Sequence, residues 1–465
     1  MSGLSSSELP LSGLLTLDQL KQAVSDQLVD TVIVAIVDMQ GRLMGKRFHA
    51  QHFVDTAWEE THCCDYLLAT DIEMATPDGF AATSWESGYG DYTMKPDIET
   101  LRIAPWASKS AMVLCDVLDH HTHAEVEHSP RAILKKQIAR LGELGYQAMA
   151  ATELEFFTFA QSYDELRELD YRKMSPVSAY NEDYHIFQTA KEEGLMRDIR
   201  NQLFQAGIPV ENTKGEAEAG QAELNITYSD ALNMADNHSI AKNAVKEIAY
   251  KHNRSVTFLA KCSADTVGSS SHVHQSLQAK DGSSAFYDAS SEHGMSELMK
   301  HYVAGQLEYA SEVTPFFAPY INSYKRFAPG TFAPTKIIWS IDNRTAAYRV
   351  VGADSPGVRF ECRIGGSDLN PYLAMAAIIA AGIAGMERKL TLDKAFSGDA
   401  YAAKEANEIP TNLLDATAAL NGSTMLRDAF GDKVIDHYVH AANWEIREFS
   451  KVVTDYEIKR GFERA

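Results

Sequence analysis

The residues able to do chemistry sit on strands that read as charged on one side. In "QAMAATELEFFTF" (147–159), an extended chain puts Ala148, Ala150, Thr152, Leu154 and Phe156 on one face and Glu153 with Glu155 on the other. In "GQAELNI" (220–226), Gln221, Glu223 and Asn225 oppose Ala222, Leu224 and Ile226. In "SHVHQSL" (271–277), His272, His274 and Ser276 share a face. In "VRFECRI" (358–364), Arg359, Glu361 and Arg363 oppose Val358, Phe360, Cys362 and Ile364. Any one of these reads as the polar side of a half-exposed sheet. Together they ask for a cation, because carboxylates two apart repel and a mostly apolar strand carries them at a cost. Carboxylates with imidazole suit Mg²⁺ or Mn²⁺, and arginine forks grip phosphate or carboxylate. Metal, arginines and carboxylates are the apparatus of phosphoryl transfer, and the lack of a GxxxxGK[ST] loop means that no P-loop holds the nucleotide.

Other elements must position these strands. Residues 17–28 read as a helix leading into "TVIVAIVD" (31–38); "MQGR" is a turn and "LMGKRFHA" follows it, so the chain opens with a small β-containing domain. "DVLDHHTHAEVEHSPR" (116–131) lacks apolar periodicity and reads as a solvated linker in spite of its histidines. Ser129 as N-cap, Pro130 at the first position, and Leu134, Ile138 and Leu141 on one face predict a helix after it. The expected division is 1–29 as N-terminal segment and helix, 30–125 as the small domain, and 126–465 as the catalytic domain.

Composition narrows the partners. At 465 residues with 45% hydrophobic and 23% charged, the chain has material for a large core. A formal net charge of −21 argues against nucleic acid or an anionic membrane as partner. The cysteines (63, 64, 115, 262, 362) show no CxxC spacing, so a disulfide framework or zinc cluster is not expected and a cytoplasmic setting is. The N-terminal stretch shows no basic segment followed by an apolar core, so no targeting segment is expected. "PYLAMAAIIAAGIAGM" (371–386) is too short to span a bilayer and reads as a buried helix.

The blocks "ELEFF", "GEAEAGQAELN", "GSSSHVHQS", "NSYKRFAPG", "DNRTAAYR" and "RFECRIGGSDLNPYLA" follow one another as they do in the glutamine synthetase family, which the chain resembles from residue 30 to its last residue. The resemblance implies an α+β fold, with a small N-terminal β-grasp domain and a large catalytic domain built on a curved antiparallel sheet with helices. It implies a homo-oligomer of stacked rings, a dodecamer or similar, with active sites at subunit interfaces. It implies ATP and two or three Mg²⁺ or Mn²⁺ ions per site. In the reaction it implies, the γ-carboxylate of L-glutamate is phosphorylated and an amine then attacks the acyl phosphate.

Carried onto this chain, one metal would take Glu155, Glu216 and Glu223, and the second Glu153, His272 and Glu361. His274 and Ser276 would lie near ATP, with Arg344, Arg349 and Arg359 on its phosphates. Arg326 and Arg363 would hold glutamate carboxylates, with a backbone contact from Gly268. Asp71 would help with the nucleophile, Tyr401 matches a position some members modify with a nucleotide, and Pro356 replaces a lysine near the adenine.

The loop "APGTFAPTK" (328–336) departs from the ammonia-using members, which place a glutamate where Phe332 stands. Alkylamines are protonated at neutral pH, with a pKa of about 10, and a carboxylate there would bind the cation and take its proton. Phenylalanine does neither. The expected substrate is therefore a larger amine. An arylamine, neutral at pH 7 and able to stack on Phe332 with room beside Ala217 and Ala219, is the first choice, which makes the chain similar to γ-glutamyl amide ligases such as γ-glutamylanilide synthase. The alternatives are a small alkylamine, ethanolamine or a polyamine. Further alternatives are an ammonia-using glutamine synthetase with Asp71 or Glu218 handling the amine, a non-catalytic structural relative, and a metal-dependent hydrolase.

Overall fold

The computed structural model describes residues 11–465; residues 1–10, part of the expected N-terminal segment, lie outside the described residues. The first helix, Leu17–Ser25, starts at a capping box in which Thr16 Oγ1 accepts from the Gln19 amide and Gln19 Oε1 accepts from the Thr16 amide. It ends sooner than the expected residue 28, because Gln27 turns the chain through a φ of 58° that no α-helix continues.

Strands β1 (Thr31–Val37), β2 (Leu43–His49), β3 (Thr61–Cys64), β4 (Asp91–Pro96), β5 (Arg102–Ile103) and β6 (Ser110–Asp119) form one mixed sheet. Its order is β2-β1-β6-β4-β3, with β5 also on β6, and β1 runs antiparallel to β2 and parallel to β6. Period two gives this sheet two buried faces. Val32, Val34 and Ile36 pack with Leu20, Phe53 and Val113, whereas Ala35, Val37, Met112 and Leu114 join the core of the rest of the chain.

The second sheet contains β7 (Tyr146–Phe159), β8 (Val210–Gly215), β9 (Gln221–Ile226), β10 (Ser229–Asp230), β11 (Ser255–Thr257), β12 (Ser271–Ala279), β13 (Trp339–Ile341), β14 (Tyr348–Val351) and β15 (Arg359–Cys362). The order is β13-β14-β15-β12-β7-β9-β8, with β10 and β11 also on β7. Leu154, Phe156, Val273 and Phe360 share one core with helices Pro130–Glu143, Ala231–Lys251, Glu297–Glu308 and Pro371–Arg388. The α+β class and the charged strands are as the sequence predicts.

The Ala- and Gly-rich helix Pro371–Arg388 is buried as expected, and its small residues have a specific use. A Cβ at Gly305 would lie 2.7 Å from Gly385 Cα, and one at Gly382 would lie 2.1 Å from the Tyr302 ring. These two helices approach too closely for any larger side chain at those positions.

The polar stretch 116–131 is not all linker. Residues 116–119 complete β6, since Tyr92–Pro96 of β4 pairs with Asp119–Cys115. His120, His121 and His123 are exposed, but His128 stacks on His437 with ring centroids 4.4 Å apart, and Tyr92 Oη lies 3.2 Å from His128 Nε2. His437 Nε2 donates to the Leu68 carbonyl at 2.8 Å. Ser129 takes the N-cap position without a side-chain capping bond, and Pro130 stands at the helix start.

Burial lowers the His128 pKa to about 4, and burial with the neighbouring His128 lowers His437 further below its usual value. The unfolded chain takes up a proton near the ordinary histidine value and the folded one refuses it, so the stability these residues give is present at neutral pH and is lost as pH falls towards 4. From His128 alone the loss between pH 7.5 and pH 5 is about 2 kcal/mol. Chemical denaturation of the native protein and of His128→Phe at both pH values checks this; equal acid sensitivity of the two proteins would contradict it.

Candidate active site

Strand register brings the charged residues together. Glu153 of β7 pairs with His272 of β12 on one side and Asn225 of β9 on the other, and Glu155 pairs with Glu223. His274 pairs with Glu361 of β15, Glu361 with Arg349 of β14, and Glu223 with Lys214 of β8. Directly paired residues share a face, so acids, imidazoles and cations form one band across the sheet, opposite the core.

Two clusters within the band have the spacing of metal ligands. In the first, oxygen atoms of Glu155, Glu216 and Glu223 lie within 4.8 Å of one another. Glu155 Oε2 accepts from the Ser270 amide at 2.6 Å, which fixes the carboxylate. Burial first, and Glu216 second, raises the Glu155 pKa to about 8; burial, Glu153 and Glu216 raise that of Glu223 to about 9. Three carboxylates so placed cannot all be ionised unless a cation joins them, and an all-oxygen donor set is the chemistry of Mg²⁺ or Mn²⁺. These residues fit such an ion.

The second cluster differs from the expected set. Ligand atoms of Glu153, His274 and Glu361 lie within 4.8 Å of one another, so His274, assigned by resemblance to the nucleotide, stands in the cluster. His272, the expected ligand, lies between the same two carboxylates, its Nδ1 3.0 Å from Glu153 Oε2 and 3.1 Å from Glu361 Oε1. The strand puts both rings on one face, and only the local orientation of the side chains separates them. His272 Nε2 and His274 Nδ1 are buried without partners. Burial would raise Glu153, but hydrogen bonds from His272 and His274 hold its pKa below the usual carboxylate range. Burial is likewise outweighed at Glu361 by Arg363 and His272. This donor set also fits a divalent ion.

The arginines divide by their partners. Arg363 Nη1 donates to Glu361 Oε1 at 2.5 Å and Arg349 Nη1 to Glu361 Oε2 at 3.1 Å, while Arg349 also holds Asp342. Arg326 is buried and donates to Ser270 Oγ and to the carbonyls of Arg363, Ile364 and Gly365, so its bonds run to its own chain rather than outward. A Cβ at Gly268 would lie 2.4 Å from Arg326 Cγ, which explains glycine there. Arg344 and Arg359 are exposed and make no salt bridge among the described residues.

Phe332 sits at a φ of 57°, and its carbonyl accepts from Arg363 Nη2 at 3.3 Å, which ties the loop to the second cluster. The residue is 56% exposed. Tyr401 donates to the Ala333 carbonyl at 3.0 Å, so its hydroxyl holds this loop from the other side. The Ala217 carbonyl accepts from Asn181, and Glu218 accepts from the Val267 amide at 3.0 Å. Ser276 pairs with Met149, which places it on the charged face beyond His274. Asp71 is not brought to either cluster by its bonds: Oδ2 accepts from Trp444 Nε1 at 3.1 Å, and Oδ1 accepts from the Glu73 and Ala75 amides. Lys214, which is not among the expected site residues, contacts Glu216 through its ammonium; its place two residues before Glu216 in "TKGE" is the signal the sequence offers.

The sheet is antiparallel except where β13 pairs in parallel with β14, and carboxylate clusters on its charged face, with arginines on the same strands, define an enzyme of metal-assisted phosphoryl or acyl-phosphate chemistry. The family model described as the glutamine synthetase catalytic domain matches residues 127–461. The chain belongs to the glutamine synthetase family and is a carbon–nitrogen ligase. It is 44% identical to gamma-glutamylethanolamide synthetase GlnA4 of Streptomyces coelicolor, over 97% of this chain and 96% of the relative. It is 35% identical to glutamate–isopropylamine ligase of a Pseudomonas species, over 93% of this chain and 95% of that one. Among solved structures, the GmaS/ADP complex in its conformation 1 superposes with a TM-score of 0.84 at 25% identity, covering 96% of this chain and 99% of the other. No helix among the described residues is long and apolar enough to cross a membrane.

Proposed function

We propose that this protein joins the γ-carboxylate of L-glutamate to a small organic amine, of the ethanolamine or alkylamine kind, at the expense of ATP. The observation that carries the reading is the pair of ligand clusters beside Arg344 and Arg359, in a chain whose relatives named above act on ethanolamine and isopropylamine. Glutamate's γ-oxygen attacks the terminal phosphorus of ATP, ADP leaves, and γ-glutamyl phosphate forms. The amine nitrogen then attacks the acyl carbon, phosphate departs with the C–O bond, and the nitrogen loses a proton. Divalent ions held by the two clusters would supply neutralisation of the charge on the transferred phosphoryl group. Arg344 and Arg359 meet the phosphate oxygens, and Arg363, already on Glu361 and the Phe332 carbonyl, sets the loop against the glutamate site.

The ground for expecting an arylamine such as aniline is stacking on the Phe332 ring. A phenylalanine 56% exposed offers a partial wall, which suits a short alkyl chain better than an enclosed aromatic slot would. A stacked ring assembly with shared sites belongs to the same proposal. In it, Asp71 reaches the amine only in a neighbour's site. The division at residues 29, 125 and 126 is part of it as well.

Steady-state assays with ATP, glutamate and Mg²⁺ against ammonium, ethanolamine, isopropylamine and aniline test the reading. Ethanolamine or isopropylamine leads in the expected result, and ammonium preferred over all organic amines would sink it. Phe332→Glu is expected to shift the ratio of kcat/KM for ammonium over ethanolamine by about ten-fold towards ammonium, because it restores a carboxylate that binds the cation. An unchanged amine profile would place Phe332 outside the pocket.

A further inference from the structure

Lys214 lies on edge strand β8, opposite Glu223 in the register, and its side chain is 17% exposed. Its ammonium contacts Glu216 Oε1, stands 3.4 Å from Asp183 Oδ1, and lies 4.5 Å from the centre of the Tyr184 ring. Among the described residues, no other lysine, arginine or histidine makes a salt bridge to Glu155, Glu216 or Glu223. Among the described residues, the cluster with the spacing of three metal ligands therefore has one cation in ion-pair contact, carried on a flexible stem, with Arg326 and Arg363 acting on Glu155 from farther off.

We infer that Lys214 is the built-in counter-ion of this cluster and competes with a divalent cation for Glu216, thereby setting the metal affinity of the site. The inference rests on the metal reading of the Glu155–Glu216–Glu223 cluster given above. A carboxylate oxygen bonded to an ammonium is a poorer donor to an ion, and the ammonium repels the ion that arrives beside it. Asp183 and Tyr184 make the exchange cheap. An ammonium displaced from Glu216 keeps a carboxylate and an aromatic face, so it does not become an unpaired charge in a half-buried place. The carboxylate changes partner, and the Lys214–Glu216 contact is the one given up.

The test is titration of Mn²⁺ alone into the nucleotide-free protein, read by isothermal calorimetry and by the electron paramagnetic resonance of free Mn²⁺. Lys214→Met is expected to bind its first Mn²⁺ at least about ten-fold more tightly than the native protein, and Lys214→Arg within about three-fold of it. Lys214→Gln serves if the methionine variant does not fold. Unchanged or weaker binding in the neutral variants, or equal tightening by arginine, would overturn the inference. Glu216→Gln in the same titration tests the underlying reading separately. It should weaken the first Mn²⁺ markedly, and if it leaves the isotherm unaltered, the metal reading of this cluster fails whatever Lys214 does.

Discussion

Glu361→Gln is expected to lower turnover at saturating Mg²⁺ by about 10³-fold, on the scale of removing one preorganised electrostatic contact from an active site. The reason is the number of groups that converge on one carboxylate. Its side chain is fully buried, Arg363 and Arg349 each hold one of its oxygens, His272 lies 3.1 Å away, and it shares the second ligand cluster with Glu153 and His274. The amide keeps the shape and removes the charge. The cluster then loses an anionic ligand, and two guanidinium groups lose their shared counter-ion. Arg363 also holds the Phe332 carbonyl, so the loop at 328–336 loosens with it. Phosphate release with ATP, glutamate and ethanolamine gives the rate, and near-native melting of the variant separates lost chemistry from lost folding. Activity within a few-fold of native at high Mg²⁺ would mean that Glu361 is not a ligand.

Arg131→Met should cost about 3–5 kcal/mol of stability, the usual result of removing one partner from a buried ion network. Arg131 has a side-chain exposure of 3% and reaches Asp116 at 2.5 Å, Asp97 at 2.6 Å and Asp236 at 3.1 Å. Burial opposes its charge, yet Asp236 and Asp116 raise its pKa above the ordinary arginine value. Asp97 follows β4 and Asp116 lies on β6, whereas Asp236 belongs to helix Ala231–Lys251 and accepts from the Tyr372 hydroxyl of helix Pro371–Arg388. One guanidinium thus joins the small sheet to two helices of the large core. Without it the carboxylates face one another across that contact. Arg131→Lys should recover less than half of the loss, because an ammonium has three donors at one point and cannot reproduce the four bonds that the planar guanidinium spreads over Asp97, Asp116 and Asp236. Equilibrium denaturation measures both variants, and a loss below 1 kcal/mol in Arg131→Met would show the network to be incidental.

Much of the site was legible because a strand encodes its faces in steps of two. Glu153 and Glu155, His272 and His274, and Arg359, Glu361 and Arg363 could be assigned to charged faces before any coordinates, and the register brings them into one band. Periodicity gives a face but no depth. It could not say that Arg326 turns to backbone carbonyls, that His274 joins His272 beside Glu153, or that Phe332 stands half in solvent. Each depends on where a side chain lands after the sheet curves and the loops settle. His128 is a similar case. Its neighbours are polar and its own stretch shows no pattern, and a helix beginning more than 300 residues later, at Asp432, covers it.

From its sequence alone this chain specified an α+β architecture, a charged band on otherwise apolar strands, and a helix of small residues meant for burial. These follow from local rules, since side-chain alternation, capping and residue volume act between near neighbours. Tertiary structure decided which charges pair. Lys214 reaches Glu216, Arg131 collects aspartates from separate elements, and Arg363 spans Glu361 and the Phe332 loop. Coulomb energy depends on distance and burial, and both are set only when segments far apart in the chain meet.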